Sequence, residues 1–344
     1  MDKINYYLLF VITITLCVIT LGAYVRLSHA GLGCPDWPGC YGYLVGVPDN
    51  SLEIIAVESI YEDSKVDIMK AWKEMIHRYL AGFLGIFIFI ISFIFYKKSS
   101  YNLFKLSFFI SLFVIFQAAL GMFTVTLKLQ PVIVMFHLVG GLIIISLLWL
   151  LFLRYNSNSF FEKNSFYSKT KISKKEIKSL SILSYVTLFF LIMQIMLGGW
   201  TSTNYAALAC VDFPKCNASW WPQMDFYNAF FLELATNLNY EFGSLDSPAR
   251  VAIHFTHRVW AIFAGLTIVI LAFKSYKLLK VPYQKFLSLT LVLLLFFQIL
   301  LGVLNVKMSL PIYIAVSHNG NAALLLICLV TQLYFIHKTK KYLR

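Results

Sequence analysis

Four histidines recur at matched places in the two halves of this 344-residue sequence. Two of them are each followed by an arginine, and the other two each lie 20 residues after a glutamine. They are His77, His137, His257 and His318. Two imidazoles at equal depth on two helices of one bundle can ligate a planar iron porphyrin from both faces. The pattern therefore predicts two bis-histidine sites, one in each half, for which heme is the natural cofactor.

Two other interpretations of these histidines remain open. Each histidine, taken alone, can be a polar side chain that is satisfied by a neighbouring membrane helix. Zinc is a weaker candidate than heme, because each half offers two histidines and no third or fourth ligand of the usual kind. Ionisable residues inside membrane helices are functional by default, and four of them paired by a repeat favour ligation over isolated packing.

A single carboxylate stands beside one of the proposed ligands. Glu74 precedes His77 by three residues, so both lie on one helix face, whereas the second half has His254 at the equivalent place. A carboxylate there can accept a proton or stabilise a developing positive charge, which indicates that the first half is the catalytic one. The alternative is a structural ion pair with Arg78 or Lys73. His254 is expected to be a neighbour of the second-half site rather than a ligand.

The arginines that follow two of the histidines have an expected role in binding heme. Arg78 and Arg258 lie near the outer membrane edge, where a guanidinium can pair with heme propionates. The alternative is an interfacial arginine that extends its head group to water. Arg26, at the outer end of the first span, has no equivalent in the second half and is a weaker candidate.

Four of the six cysteines form two closely spaced pairs, Cys34 with Cys40 and Cys210 with Cys216. Both pairs lie on the predicted extracytoplasmic side, where oxidising conditions favour disulfides. Since six positions separate the two members of each pair, the local partner is the nearest one and each loop is expected to close on itself. A structural staple is the favoured role, with thiol exchange as the alternative.

The elements that must position these residues are membrane-spanning helices. The chain is 59% hydrophobic and only 13% charged, and a soluble protein of this size cannot bury so much apolar surface. Eight apolar runs are long enough to cross a bilayer. They cover roughly residues 5–26, 74–96, 103–126, 132–153, 179–200, 251–273, 285–306 and 312–336. The segment 51–69 between the first two spans is typical of a short interfacial helix.

The repeat divides these spans into two sets of four. The spacing from Leu21 to Cys34 equals that from Leu197 to Cys210, and the histidines and glutamines follow in the same order in both halves. The expected fold is all-α, with two pseudo-symmetric four-helix bundles related by an axis along the membrane normal. The bundles are assigned to 1–154 and 179–344, with a basic cytoplasmic linker at 155–178.

The charge distribution predicts the orientation of the chain. With both termini on one side, that side carries 19 of the 29 basic residues and 3 of the 16 acidic residues. The positive-inside rule then places both termini in the cytoplasm. The basic surplus indicates membrane topology and attraction to lipid, not nucleic-acid binding. The absence of an organellar targeting pattern favours a multi-pass protein of the bacterial plasma (inner) membrane, with extracytoplasmic heme sites.

Taken together, the motifs resemble those of the heme A synthase family. The resemblance extends over essentially the whole chain, and the combination of motifs is specific. It rests on Gly-Ala-Tyr-Val-Arg26-Leu leading to Cys34-Pro-Asp-Trp-Pro-Gly-Cys40, on Glu74-x-x-His77-Arg78, on His137, on His257-Arg258 and on His318.

This resemblance implies an oxidoreductase that converts heme O to heme A, by oxidising a ring methyl group to a formyl group through an alcohol. It implies that His77 and His137 hold the substrate heme with Glu74 alongside, and that His257 and His318 hold a bound heme b. Expected partners are heme O, heme O synthase, the assembly of terminal oxidases and an electron acceptor that the sequence does not identify. The alternatives are a diheme b-type electron-transfer protein and a chaperone or transporter that handles heme.

Overall fold

Eight long helices form the body of the protein in the computed structural model, which describes residues 2–62, 64–157, 172–232, 238–279 and 281–342. Each is long and apolar enough to cross a membrane, which confirms the expected all-helical membrane protein with eight spans. The long helices are α1 (Lys3–Leu27), α3 (Ile68–Lys97), α4 (Tyr101–Thr126), α5 (Pro131–Tyr155), α6 (Lys174–Thr203), α8 (Ser247–Leu278), α9 (Pro282–Lys307) and α10 (Ile312–Tyr342). Two short helices, α2 (Ser51–Glu58) and α7 (Phe226–Phe230), lie in the loops.

Polar caps and prolines determine where several helices begin. The side chains of Asp2 and Asp67 accept hydrogen bonds from backbone amides in the first turns of α1 and α3. At α6, Ser173 and Glu176 form a capping box, so the helix begins within the predicted linker. Prolines stand in the first turns of α5, α8 and α9. Residues 158–171 of the predicted linker lie outside the described part of the chain.

Two of the ligand helices extend further outward than the predicted spans. α3 begins at Ile68 and α8 at Ser247, so His77 and His257 lie 9 and 10 residues into their helices. The predicted starts of these two spans, at 74 and 251, are therefore several residues too late. The reason is that their first turns contain polar or charged residues, which hydropathy does not register as part of a span. His137 and His318 lie 6 residues into α5 and α10, as expected.

The helices pack in two closed sets of four. In one set α1 contacts α3, α3 contacts α4, α4 contacts α5, and α5 returns to α1; in the other set α6, α8, α9 and α10 contact one another in the same cyclic order. Helices α1 and α5 of the first set also contact α10 of the second, and α5 contacts α6. Leu16, Ile19 and Trp149 pack against the apolar cores of both sets. The two sets therefore meet through α1, α5, α6 and α10.

The loop helix α2 covers part of the segment predicted to be interfacial. It spans Ser51–Glu58, and Leu52 and Ile55 are exposed, as an apolar face toward a bilayer surface requires. The remainder of the 51–69 segment is not one continuous helix, because α3 begins only at Ile68. Asp63 lies outside the described residues.

Candidate functional site

Two disulfide-closed loops lie above the N-terminal parts of α3 and α8, the helices that carry His77 and His257. Cys34 is bonded to Cys40 and Cys210 to Cys216, so the predicted local pairing is confirmed. All four cysteines are buried, with 0–2% of their surface exposed. Each loop thus forms a small covalently closed unit that packs against the helix below it.

An aspartate inside each disulfide loop stabilises the turn by accepting hydrogen bonds from backbone amides. The two carboxylate oxygens of Asp36 accept hydrogen bonds from the amides of Tyr41 and Gly42, both at 2.7 Å. Asp212 accepts in the same way from Asn217 at 2.6 Å and Ala218 at 2.9 Å. The hydrogen bond from the Ala218 amide is the main cause of a lowered pKa at Asp212. Both aspartates are therefore structural acceptors within their own loops.

An arginine of the helix below reaches up into each loop. In the first half, Arg78 donates to the carbonyl oxygens of Asp36 at 2.9 Å, of Pro38 at 3.3 Å and of Gly39. The guanidinium therefore fills the concave side of the loop, and its planar fork of donors suits several carbonyls at once.

The second half repeats this arrangement. Arg258 donates to the carbonyl oxygens of Cys210 at 2.9 Å, Asp212 at 2.8 Å and Lys215 at 2.9 Å. In the described structure both arginines are thus engaged with backbone carbonyls. Binding of propionates by Arg78 and Arg258 stays a prediction.

Glu74 connects the first arginine to the first loop. Its Oε1 accepts from Nη2 of Arg78 at 2.6 Å, and its Oε2 accepts from the backbone N–H of Cys34 at 3.0 Å. The carboxylate is buried, with 5% exposure of the residue. The ion pair that the sequence left open as an alternative is therefore present, and it is formed with Arg78. A catalytic role of Glu74 stays a prediction beside this structural one.

His254 occupies the matching place in the second half. Its Nε2 lies 3.1 Å from Nε of Arg258, and its Nδ1 lies 3.3 Å from the backbone nitrogen of Cys210. The ring is 5% exposed. His254 lies one turn before His257 on α8, and its role as a neighbour of the second-half site rather than a ligand stays a prediction.

Each of the four repeated histidines lies against a glycine of the preceding long helix. A Cβ built on Gly22 would lie 2.9 Å from Cε1 of His77, and one on Gly121 would lie 3.1 Å from Cε1 of His137. Any larger side chain at these positions would push the ring away. The glycines therefore serve as platforms that let an imidazole approach the neighbouring helix backbone.

The second half has the same platforms. A Cβ on Gly198 would lie 3.2 Å from Nε2 of His257, and one on Gly302 would lie 3.2 Å from Cε1 of His318. Each ring thus lies against a helix of its own set, His77 against α1, His137 against α4, His257 against α6 and His318 against α9. The structure therefore groups the histidines within the halves that the repeat predicts.

Glutamine amides contact three of the four rings. Nε2 of Gln117 lies 3.1 Å from Nδ1 of His137, and Nε2 of Gln298 lies 3.2 Å from Nε2 of His318. The sequence repeat had marked both of these glutamines. The third contact joins Nε2 of Gln194 to Nε2 of His257 at 3.0 Å. The repeat could not reveal Gln194, because the first half has a valine at the equivalent position.

The donor set fits a heme in each half. Within the described residues, each of the four rings has a nitrogen without a hydrogen-bond partner. Two of these unpartnered nitrogens, Nδ1 of His77 and Nδ1 of His318, are buried. A ligating imidazole binds metal with one nitrogen and donates its other N–H to an acceptor, a role that the side-chain oxygen of a glutamine takes when its amide is turned toward the ring. No group of three or more His, Cys, Asp or Glu suited to a metal ion occurs among the described residues.

Arg26 joins the two halves at their outer side, a contact that the sequence did not indicate. Its Nη1 donates to the hydroxyl of Tyr205 at 2.8 Å, and its Nη2 donates to the carbonyl of Ser202 at 3.1 Å. The guanidinium also lies 4.3 Å from the centre of the Tyr205 ring, and His29 stacks on the same ring. The lack of a second-half equivalent is explained, because Arg26 binds across to the second half itself.

Comparison with known proteins identifies the family. The sequence profile of the COX15-CtaA family, described as cytochrome oxidase assembly protein, matches residues 5–330. A heme A synthase of Shewanella oneidensis is 46% identical over 338 residues, which are 98% of each chain. A heme A synthase of Halalkalibacterium halodurans is 27% identical over 327 residues, or 93% of this chain and 91% of the relative. The resemblance indicated by the motifs is thereby confirmed, and the chain belongs to the COX15-CtaA family, in which the heme A synthases are found.

Proposed function

We propose that this multi-pass membrane protein is a heme A synthase, an oxidoreductase that converts heme O to heme A. The observation that carries the proposal is the pair of histidine sites, which share their glycine platforms but differ at one equivalent position. The first half has Glu74 at that position and the second half has His254. The function and the enzyme class expected from the motifs agree with the names of the relatives, one of which aligns with nearly the full length of the chain.

The experiment that tests the function is expression in a bacterial host that makes heme O but no heme A. Extracted hemes are then separated by chromatography. Heme A that appears only when this protein is present supports the proposal. Unchanged heme O would favour a heme chaperone or transporter, and two permanently bound b-type hemes would favour an electron-transfer protein.

The two halves are assigned different tasks. His77 and His137 of the half at 1–154 ligate the substrate heme, and His257 and His318 of the half at 179–344 ligate a resident heme b. A resident heme b would supply electron transfer to or from the reacting porphyrin. Support comes from the cyclic packing of each four-helix set and from the glycine platforms that place both histidines of a set against helices of that set. We interpret these sets as the two pseudo-symmetric bundles of the repeat.

Glu74 is assigned the catalytic role on the substrate side. Oxidation of a methyl group removes protons and electrons, so a fixed negative charge beside the porphyrin edge is useful for stabilising developing positive charge. Both carboxylate oxygens already accept hydrogen bonds, from Arg78 and from the Cys34 amide. This favours electrostatic stabilisation over proton abstraction by a freely moving base. The two bonds also hold the carboxylate at a constant place on the ligand helix.

The orientation in the membrane follows from the charge bias. We assign both termini to the cytoplasm and the disulfide loops, with the outer ends of the ligand helices, to the extracytoplasmic side of a bacterial inner membrane. The disulfides support this orientation, since such bonds persist in oxidising compartments. Heme O is then bound near the outer membrane surface. Heme O synthase is the proposed source of the substrate heme O. The assembly of terminal oxidases is the proposed user of the product heme A.

The glycine platforms give a prediction for the resident heme. Gly302→Ala is expected to force the His318 ring off its preferred rotamer, because the new Cβ would lie 3.2 Å from Cε1. Such a displacement costs about 0.5–1.5 kcal/mol, which weakens heme binding about two- to tenfold. Heme titration of the purified protein measures the change. Gly265→Ala is the control, since its Cβ would meet only Leu295, at 3.9 Å. Equal affinity of the two variants would contradict the platform role.

A further inference from the structure

Glu74 and His254 perform corresponding tasks with different chemistry. Each lies four residues before the loop-binding arginine of its helix, and each lies beside that arginine and the backbone N–H of the first cysteine of its loop. An ionised carboxylate has two oxygens, and it accepts both hydrogen bonds at once. A neutral imidazole has one acceptor nitrogen and one N–H donor. His254 therefore cannot accept from both partners.

The surroundings decide which nitrogen of His254 is the acceptor. Arg258 is always protonated, so its Nε–H requires an acceptor, and Nε2 of His254 at 3.1 Å provides it. The proton of the ring then lies on Nδ1. The Cys210 N–H lies 3.3 Å from Nδ1 and therefore points at a nitrogen that already carries a proton. It cannot donate a full hydrogen bond to that nitrogen.

We propose that His254 is a positioning residue that, as the Nδ1–H tautomer, holds the Arg258 guanidinium beneath the Cys210–Cys216 loop. The second loop is then held through the arginine alone, whereas the first loop is held through both Arg78 and the bond from the Cys34 amide to Glu74. The first loop is therefore the more firmly fixed of the two. This inference concerns the loops and does not depend on which heme either half binds.

Hydrogen–deuterium exchange of the purified full-length protein tests the proposal. The peptide covering residues 207–219 is followed, and the peptide covering residues 31–43 is the internal control. His254→Ala is expected to speed exchange in the second loop about tenfold, because Arg258 loses its buried acceptor. His254→Glu is expected to slow it below the unmodified protein, since a carboxylate accepts from both Arg258 and the Cys210 amide, as Glu74 does. The first loop is expected to exchange at the same rate in all three proteins.

Two results would overturn the proposal. One is unchanged exchange of the second loop in His254→Ala, which would show that His254 does not hold the loop. The other is exchange in His254→Glu as fast as in His254→Ala, which would show that the two positions are not equivalent. If His254→Ala does not accumulate in membranes, His254→Gln replaces it, because its amide oxygen can accept from Arg258. It is expected to match the unmodified protein, and slower exchange in His254→Glu then supports the proposal, whereas equal exchange overturns it.

Discussion

Glu74→Gln is expected to keep the fold and the second-half heme while losing most heme A formation, on the order of a hundredfold or more. The amide is nearly isosteric with the carboxylate, so the contacts of Arg78 and the Cys34 amide remain partly satisfied, but the negative charge is gone. Chromatography of extracted hemes should then show accumulation of heme O or of the alcohol. Glu74→Asp is expected to retain partial activity, since it keeps the charge at a greater distance from its partners.

The structure supplies a sharper control for the same position. Glu74→His places in the first half the side chain that the second half carries at the same point, where His254 contacts Arg258 beneath an equivalent loop. This variant is expected to keep Arg78 and the first disulfide loop in place and to lack heme A formation. If Glu74→His or Glu74→Gln makes heme A at the unmodified rate, Glu74 is only a structural partner of Arg78. Asp36 is a poor substitute candidate, because both of its oxygens are bound to amides of its own loop.

Replacement of either second-half ligand is expected to remove most of the low-spin b-type absorption of the purified protein. His257→Ala and His318→Ala each remove one of the two imidazoles that would hold heme b, and the low-spin spectrum requires both. Visible absorption spectroscopy, normalised to protein concentration, measures the loss.

A matched control for these two variants is His254→Ala. This residue lies on the same helix as His257 but contacts Arg258 and the loop, so most of the low-spin spectrum should remain. Full heme content with an unchanged spectrum in both His257→Ala and His318→Ala would exclude the second half as the heme b site.

The parts of the fold that could be predicted are those governed by local sequence. Eight apolar runs specify eight helices, because a bilayer admits only segments that satisfy their own backbone hydrogen bonds. The pairing of Cys34 with Cys40 follows from their short separation. The helix starts of α3 and α8 were misplaced, because the polar first turns before His77 and His257 lie outside the hydropathy signal.

The contacts that could not be predicted depend on backbone groups or on tertiary register. Arg78 and Arg258 bind loop carbonyls, and a carbonyl acceptor leaves no mark in the sequence. Arg26 bonds to Tyr205 across 179 residues, through a contact between halves that a repeat does not describe. The glycines that support the histidines were visible as repeated residues, but their purpose depends on how neighbouring helices face each other.

The division of labour between the halves is the central claim, and identification of the hemes bound to single-ligand variants tests it most directly. Hemes are extracted from the purified unmodified protein, His77→Ala and His257→Ala, expressed with a heme O source, and are identified by chromatography. We predict that His77→Ala retains heme b but lacks heme O and heme A, and that His257→Ala loses heme b. Loss of heme b from His77→Ala together with its retention in His257→Ala would contradict the account, because the resident heme would then lie in the first half.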